Sequence, residues 1–153
     1  DFTQPGEGIE YDIEQLEHED VNLDYALLRL RDRQDYPLKK WGFLTLDADV
    51  PLKEDITQLY IVQHPKGLPQ QRSGGFFVKP ASDTKILHDA PTEGGTSGAP
   101  VLNVTNFRVV ALHKGENEDE KLREATIIKA ILADLKQNCP ELYDKIVAVQ
   151  NPN

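Results

Sequence analysis

Two shortages shape the first reading of this sequence: it has almost no cysteine and no long apolar run. Cys139 is the sole cysteine among 153 residues, so no internal disulfide can staple the fold. It precedes Pro140 between two stretches of helical pattern. We read it as a packing or bystander residue, because a Cys–His site needs a partner that the sequence does not advertise. No apolar stretch approaches the roughly 18–20 residues of a membrane span, so no membrane partner is expected. The opening, DFTQPGEGIEYD, lacks the charged-then-apolar pattern of a signal peptide. Because the chain can be a trimmed product, compartment stays open, with the cytoplasm favoured slightly over secretion.

Positive charge is scarce too. Lys and Arg number 17 against 26 Asp and Glu, a formal charge of −9, whereas a nucleic-acid groove needs clustered cations to neutralise phosphates. No Cys/His cluster has metal-ligand spacing and no Gly-rich loop opens a helix as a phosphate site would, so no cofactor is expected. Internal repeats, low-complexity tracts and linkers are absent as well.

What is present is a globular composition, 39% apolar and 28% charged, in a chain long enough for one domain with a real core. Residues 1–22 are acidic and weakly periodic, which reads as a solvated surface segment. From Leu23 the pattern changes. LDYALLRL, QLYIVQH (58–64), GFFVK (75–79) and KILHDA (85–90) are short runs of strand composition. PVLN, a polar turn and FRVVALH make a β-hairpin, and His64-Pro65-Lys66-Gly67 is a turn signal. ATIIKAILADLKQN opens as a strand and becomes a helix near Ala130; Pro140 then starts a second helix, PELYDKIVAV. The fold class is all-β, a barrel or sandwich followed by C-terminal helix.

Glu93-Gly94-Gly95-Thr96-Ser97-Gly98-Ala99-Pro100 puts a hydroxyl among small residues. Acyl transfer needs that arrangement, with an exposed serine oxygen and backbone N–H groups aimed at the developing oxyanion. On glycine content alone, a flexible loop without chemistry is the competing reading. The turn leads straight into PVLN and FRVVALHKG, and with LDYALLRL this resembles the trypsin-like (chymotrypsin-fold) serine peptidases. IVQHPKGLPQ and VVALHKG are similar to bacterial and glutamyl-endopeptidase-like members. The resemblance covers roughly residues 20–135. It implies a chymotrypsin-like double β-barrel, with residues 1–22 as a remnant of the first barrel. Residues 23–153 would carry its last strand, the whole second barrel and the C-terminal helices.

The resemblance implies Ser97 as nucleophile, Asp24 as the acid that orients a catalytic histidine, and the N–H groups of Gly95 and Ser97 as oxyanion hole. The family order is His, Asp, Ser. Only His18 precedes Asp24, and it is too close to leave room for the intervening strands. The expectation is therefore that this chain is a C-terminal portion, and that an N-terminal portion, on the same polypeptide or a separate chain, supplies the histidine. Alone it should have little or no peptidase activity. The alternative is a catalytically inactive domain that uses the groove as a peptide-binding module.

The partner in either case is a protein or peptide. Where trypsin-type members carry an acid for basic substrates, this chain has Pro91. Thr92 and His113, with Lys114 beside them, match positions that contact an acidic substrate side chain in glutamyl endopeptidases. A protonated His113 could hold that carboxylate; His113 as a structural strand residue is the competing reading.

Overall fold

The computed structural model describes residues 8–150. Six short segments, each apolar on one face, solve their burial problem by closing on one another. The strands are β3 (Gln58–Gln63), β4 (Gln71–Pro80), β5 (Lys85–His88), β6 (Pro100–Asn103), β7 (Val109–Asn117) and β8 (Leu122–Ile127), after a hairpin of β1 (Ile13–Asp20) and β2 (Tyr25–Leu30). The six form a closed antiparallel barrel in the order β3-β4-β5-β8-β7-β6. It closes where Leu59, Tyr60 and Ile61 lie opposite Asn103, Leu102 and Val101, which leaves the barrel no free edge.

Alternation supplies the core. Leu59, Ile61, Phe77, Ile86, Val101, Ala111 and Ala125 point inward and are buried. Removing each large apolar side chain from water contributes about 1.5–3 kcal/mol. β8 runs directly into α1 (Ile128–Asn138), and α2 (Pro140–Gln150) follows. Ile128 joins Leu102 and Val109 in a second apolar cluster that also gathers Tyr60, Ile131 and Leu132. Pro140 takes the first helical position of α2, where its missing N–H costs nothing.

Strand β1 lies inside the stretch that reads as an acidic surface segment. Its pairing with β2 shifts register between Ile13 and Gln15 and again between Leu16 and His18. Each shift breaks the period-2 pattern that identifies a strand, so backbone pairing reveals β1 where composition does not. The hairpin docks on the C-terminal helix through polar groups. Asp134 Oδ2 accepts from Tyr25 OH at 2.6 Å and from His18 Nε2 at 2.7 Å. These bonds hold the Asp134 carboxyl below its ordinary range, the Tyr25 bond most strongly. Thr126 Oγ1 donates to Leu23 O at 2.7 Å. Cys139 has a partner after all: its sulfur lies 3.4 Å from His18 Nδ1, a contact spanning 121 positions that no local motif could advertise. Ile13, Leu16, Leu28 and Leu30 of the hairpin stay exposed.

One glycine is required by close approach. A Cβ on Gly75 would fall 2.4 Å from Ala90 N and 2.4 Å from Asp89 Oδ1, the oxygen that accepts from Phe76 N–H. The clash is with backbone and cannot be relieved by a rotamer. Gly75→Ala should destabilise the barrel by about 3 kcal/mol, read as a lower urea midpoint with the slope unchanged.

Candidate active site

The turn between β5 and β6 is fixed from three sides. Gly95 and Gly98 have φ of +90° and +84°, the left-handed region that side chains with a Cβ avoid. Within the turn Thr96 N–H donates to Glu93 O and Ala99 N–H to Thr96 O. Toward β7, Gly98 N–H donates to His113 O at 2.8 Å and His113 N–H to Ala99 O at 2.9 Å. From the third side, the Pro65–Gly67 turn presses on Gly95, with Lys66 N–H donating to Gly94 O at 2.7 Å. The amides of Gly95 and Ser97 take no part in these bonds. Ser97 is exposed at the tip, and its hydroxyl donates to Lys114 O at 2.8 Å.

Beneath the turn a buried amide does the holding. Gln63 Oε1 accepts from Thr96 Oγ1 at 2.7 Å, while Gln63 Nε2 donates to Pro91 O at 3.1 Å and Ser73 Oγ at 3.0 Å. Both ends of the turn are thereby tied to β3. Gln63 and Thr96 are 5% and 2% exposed, so neither has water as a substitute partner.

Asp24 sits not in strand β2 but in the tight turn before it, at φ 56°. Asp20 Oδ1 caps that turn by accepting from Leu23 N–H at 2.8 Å. The Asp24 carboxylate is 56% exposed and lies 4.0 Å from Lys114 Nζ, so Lys114 touches both candidates: its carbonyl accepts a hydrogen bond from the Ser97 hydroxyl and its ammonium faces Asp24. The Lys114 side chain also reaches Glu124 at 3.3 Å. Its ammonium is thereby committed to Glu124 and Asp24, at a residue that falls in the register shift between His113 and Gly115.

The Ser97 hydroxyl is bonded to a backbone carbonyl and not to a histidine. His18 is bonded to Asp134, His64 to Leu68 O at 3.1 Å, and His88 to His113. His88 Nε2 and His113 Nδ1 are 3.3 Å apart and both rings are buried. His88 Nδ1 is buried without a partner. An unpaired acceptor costs less than an unpaired donor, so the proton lies on His88 Nε2, which donates to His113 Nδ1. His113 then carries its proton on Nε2. Burial pushes His88 down to about 4, helped by the charge of His113, and pushes His113 down to about 4, helped by Arg123. His113 is thus neutral at neutral pH, which corrects the expectation of a protonated ring: the imidazolium loses too much hydration in that setting.

Sequence reasoning missed Arg123. It carries no motif, but in β8 it lies opposite His88 of β5 and Glu116 of β7. Its Nε donates to Thr92 Oγ1 at 3.0 Å, and it forms an ion pair with Glu116 at 3.0 Å. Thr92 is therefore bonded to Arg123, whose charge also acts on His113. Among the described residues no group of three or more His, Cys, Asp or Glu is placed to share a metal ion.

Comparison with known proteins now places this geometry. The model of the trypsin-like peptidase domain matches residues 2–112, and the chain belongs to that family. A curated relative, Secreted RxLR effector protein 73 of Plasmopara viticola, is 29% identical over 111 residues, 64% of this chain and 26% of that protein. Among solved structures, the serine endoprotease from Yersinia pestis superposes with TM-score 0.61 at 18% identity. The match covers 87% of this chain and 43% of that one. A Glu endopeptidase in complex with MPD gives 0.59 at 16% identity, covering 73% and 52%. The chain thus spans about a quarter of the curated relative and about half of each of these two solved structures.

Two predictions follow from the buried groups. Gln63→Leu should cost about 1–3 kcal/mol by stranding Thr96 Oγ1 and Pro91 O, with the turn around Ser97 exchanging its amide hydrogens faster. The histidines set a pH window. Their folded values of about 4 lie below the ordinary 6.5, so the unfolded chain binds more protons in between. Their contribution is complete above about 6.5 and is lost as pH falls toward 4. Urea midpoints should drop from pH 7.5 to pH 5, and drop less in His113→Gln.

Proposed function

We propose that the chain is the nucleophile-bearing part of a serine endopeptidase that hydrolyses peptide bonds through an acyl-enzyme. Ser97 attacks the scissile carbonyl and the Gly95 and Ser97 N–H groups hold the oxyanion. A histidine outside this chain takes the serine proton, and Asp24 orients that histidine. The observation that carries the reading is the Ser97 turn: an exposed hydroxyl between two left-handed glycines, with the Gly95 and Ser97 amides uncommitted.

Asp24 supports it from the other side. The hairpin carries a half-exposed carboxylate to within 4.0 Å of the Lys114 side chain, while the Lys114 carbonyl binds Ser97. A serine bonded to a carbonyl is a poor nucleophile, because nothing there removes its proton. The histidine therefore comes from an N-terminal portion of the protease. The exposed Ile13, Leu16, Leu28 and Leu30 are the apolar surface such a portion would cover. Thr92 and His113 line the pocket for the substrate side chain, and Lys114 serves Asp24 and the backbone of the groove. The partner is a protein or peptide.

A fluorophosphonate probe tests this on the full-length polypeptide. Labelling should occur on Ser97 and vanish in Ser97→Ala, and Asp24→Asn should lower kcat by about 10⁴. The 153-residue chain by itself should label at background rate. Absence of labelling in the full-length protein would instead support an inactive domain that binds peptides in the same groove.

A further inference from the structure

We propose that Arg123 selects the substrate, holding the carboxylate of an acidic side chain that precedes the scissile bond. The inference rests on the peptidase reading for the identity of the groove, and the donors present carry the rest. Arg123 lies in the sheet between β5, which leads into the Ser97 turn, and β7, whose Lys114 carbonyl binds Ser97. It touches Thr92, five positions before Ser97, and Glu116, two positions after Lys114. Its side chain is 23% exposed, largely covered yet open to a ligand.

The charges that face it are few. From β5 come His88 and, just beyond it, Asp89; from β7 come His113 and Glu116. Both histidines are neutral above about pH 5, which leaves Arg123 as the permanent cation of the group. Asp89 is committed to Phe76 N–H at 2.6 Å. Glu116 is the one carboxylate bonded to the guanidinium, and it is 57% exposed, so this ion pair is weak and exchangeable. A substrate carboxylate arriving in the groove can take its place.

The remaining groups are donors. Thr92 Oγ1 accepts from Arg123, so its own proton is available to a ligand. His113 carries its proton on Nε2 by the argument above. The guanidinium uses one N–H on Thr92 and one nitrogen on Glu116, leaving further N–H groups of the fork for a second oxygen. Donors around a fixed cation match a carboxylate and repel Lys or Arg. The acidic loop after β7 opposes this less than its composition implies, since Glu120 is paired with Lys79 at 3.0 Å and Glu116 with Arg123.

Product binding tests the proposal without requiring turnover. In the full-length polypeptide carrying Ser97→Ala, peptides ending in Glu, Gln or Lys are titrated by calorimetry. The Glu peptide should bind at least about tenfold tighter than the Gln peptide, and equally so from pH 6 to pH 8. Arg123→Gln should erase the difference and Arg123→Glu should favour the Lys peptide. Glu116→Gln should tighten the Glu peptide by removing its competitor, a gain that misfolding cannot mimic. Equal affinities, no binding, a preference that survives in Arg123→Gln, or one that fades above pH 6.5 would overturn the proposal. Loss of probe labelling at Ser97 would sink the peptidase reading alone, because the carboxylate preference is read from binding.

Discussion

Pairing of β6 with β3 is the constraint on which the rest of the structure depends. β6 begins at Pro100, three residues after Ser97, and its seat against Leu59–Ile61 closes the barrel. The position of the serine is therefore set by barrel closure and not by the turn itself. The same strand β3 ends in Gln63, whose buried amide holds Thr96 and Pro91. Closure and turn geometry are one event, since a shift of β6 along β3 would break both. A rigid turn in turn leaves the Gly95 and Ser97 amides in fixed directions, which is the condition for stabilising charge without reorganisation.

The hairpin is attached differently. It contributes no strand to the barrel and is held by Asp134, Thr126 and a contact between Cys139 and His18. Polar docking of this kind contributes about 1 kcal/mol per bond, less than burial of an apolar face. Asp24 thus rides on an element with its own apolar surface still exposed, whereas Ser97 rides on the core.

Charge around Thr92 and His113 follows burial. His113 looks like an acid-binding group in a list of residues, but a ring 3% exposed beside an arginine cannot keep a proton at neutral pH. Arg123 keeps its charge because guanidinium cannot be deprotonated in a protein and because Glu116 and Thr92 satisfy part of its fork. The two residues divide the roles: neutral donor and permanent cation.

Much of this was legible in the sequence. The strands from Gln58 onward, the hairpin after the serine turn and both C-terminal helices follow from period and turn chemistry, because those signals are local. Glycines at 95 and 98 mark the Ser97 turn for the same reason: only glycine adopts that backbone freely. Tertiary structure decided the rest. It placed Arg123 against Thr92 across 31 positions, gave Cys139 its partner, and hid β1 from any periodicity by two register shifts. It also committed the Lys114 ammonium to Glu124 and Asp24 and left His113 neutral. Side-chain facing, burial and long-range pairing set these outcomes, and none of them is a property of neighbouring residues along the chain.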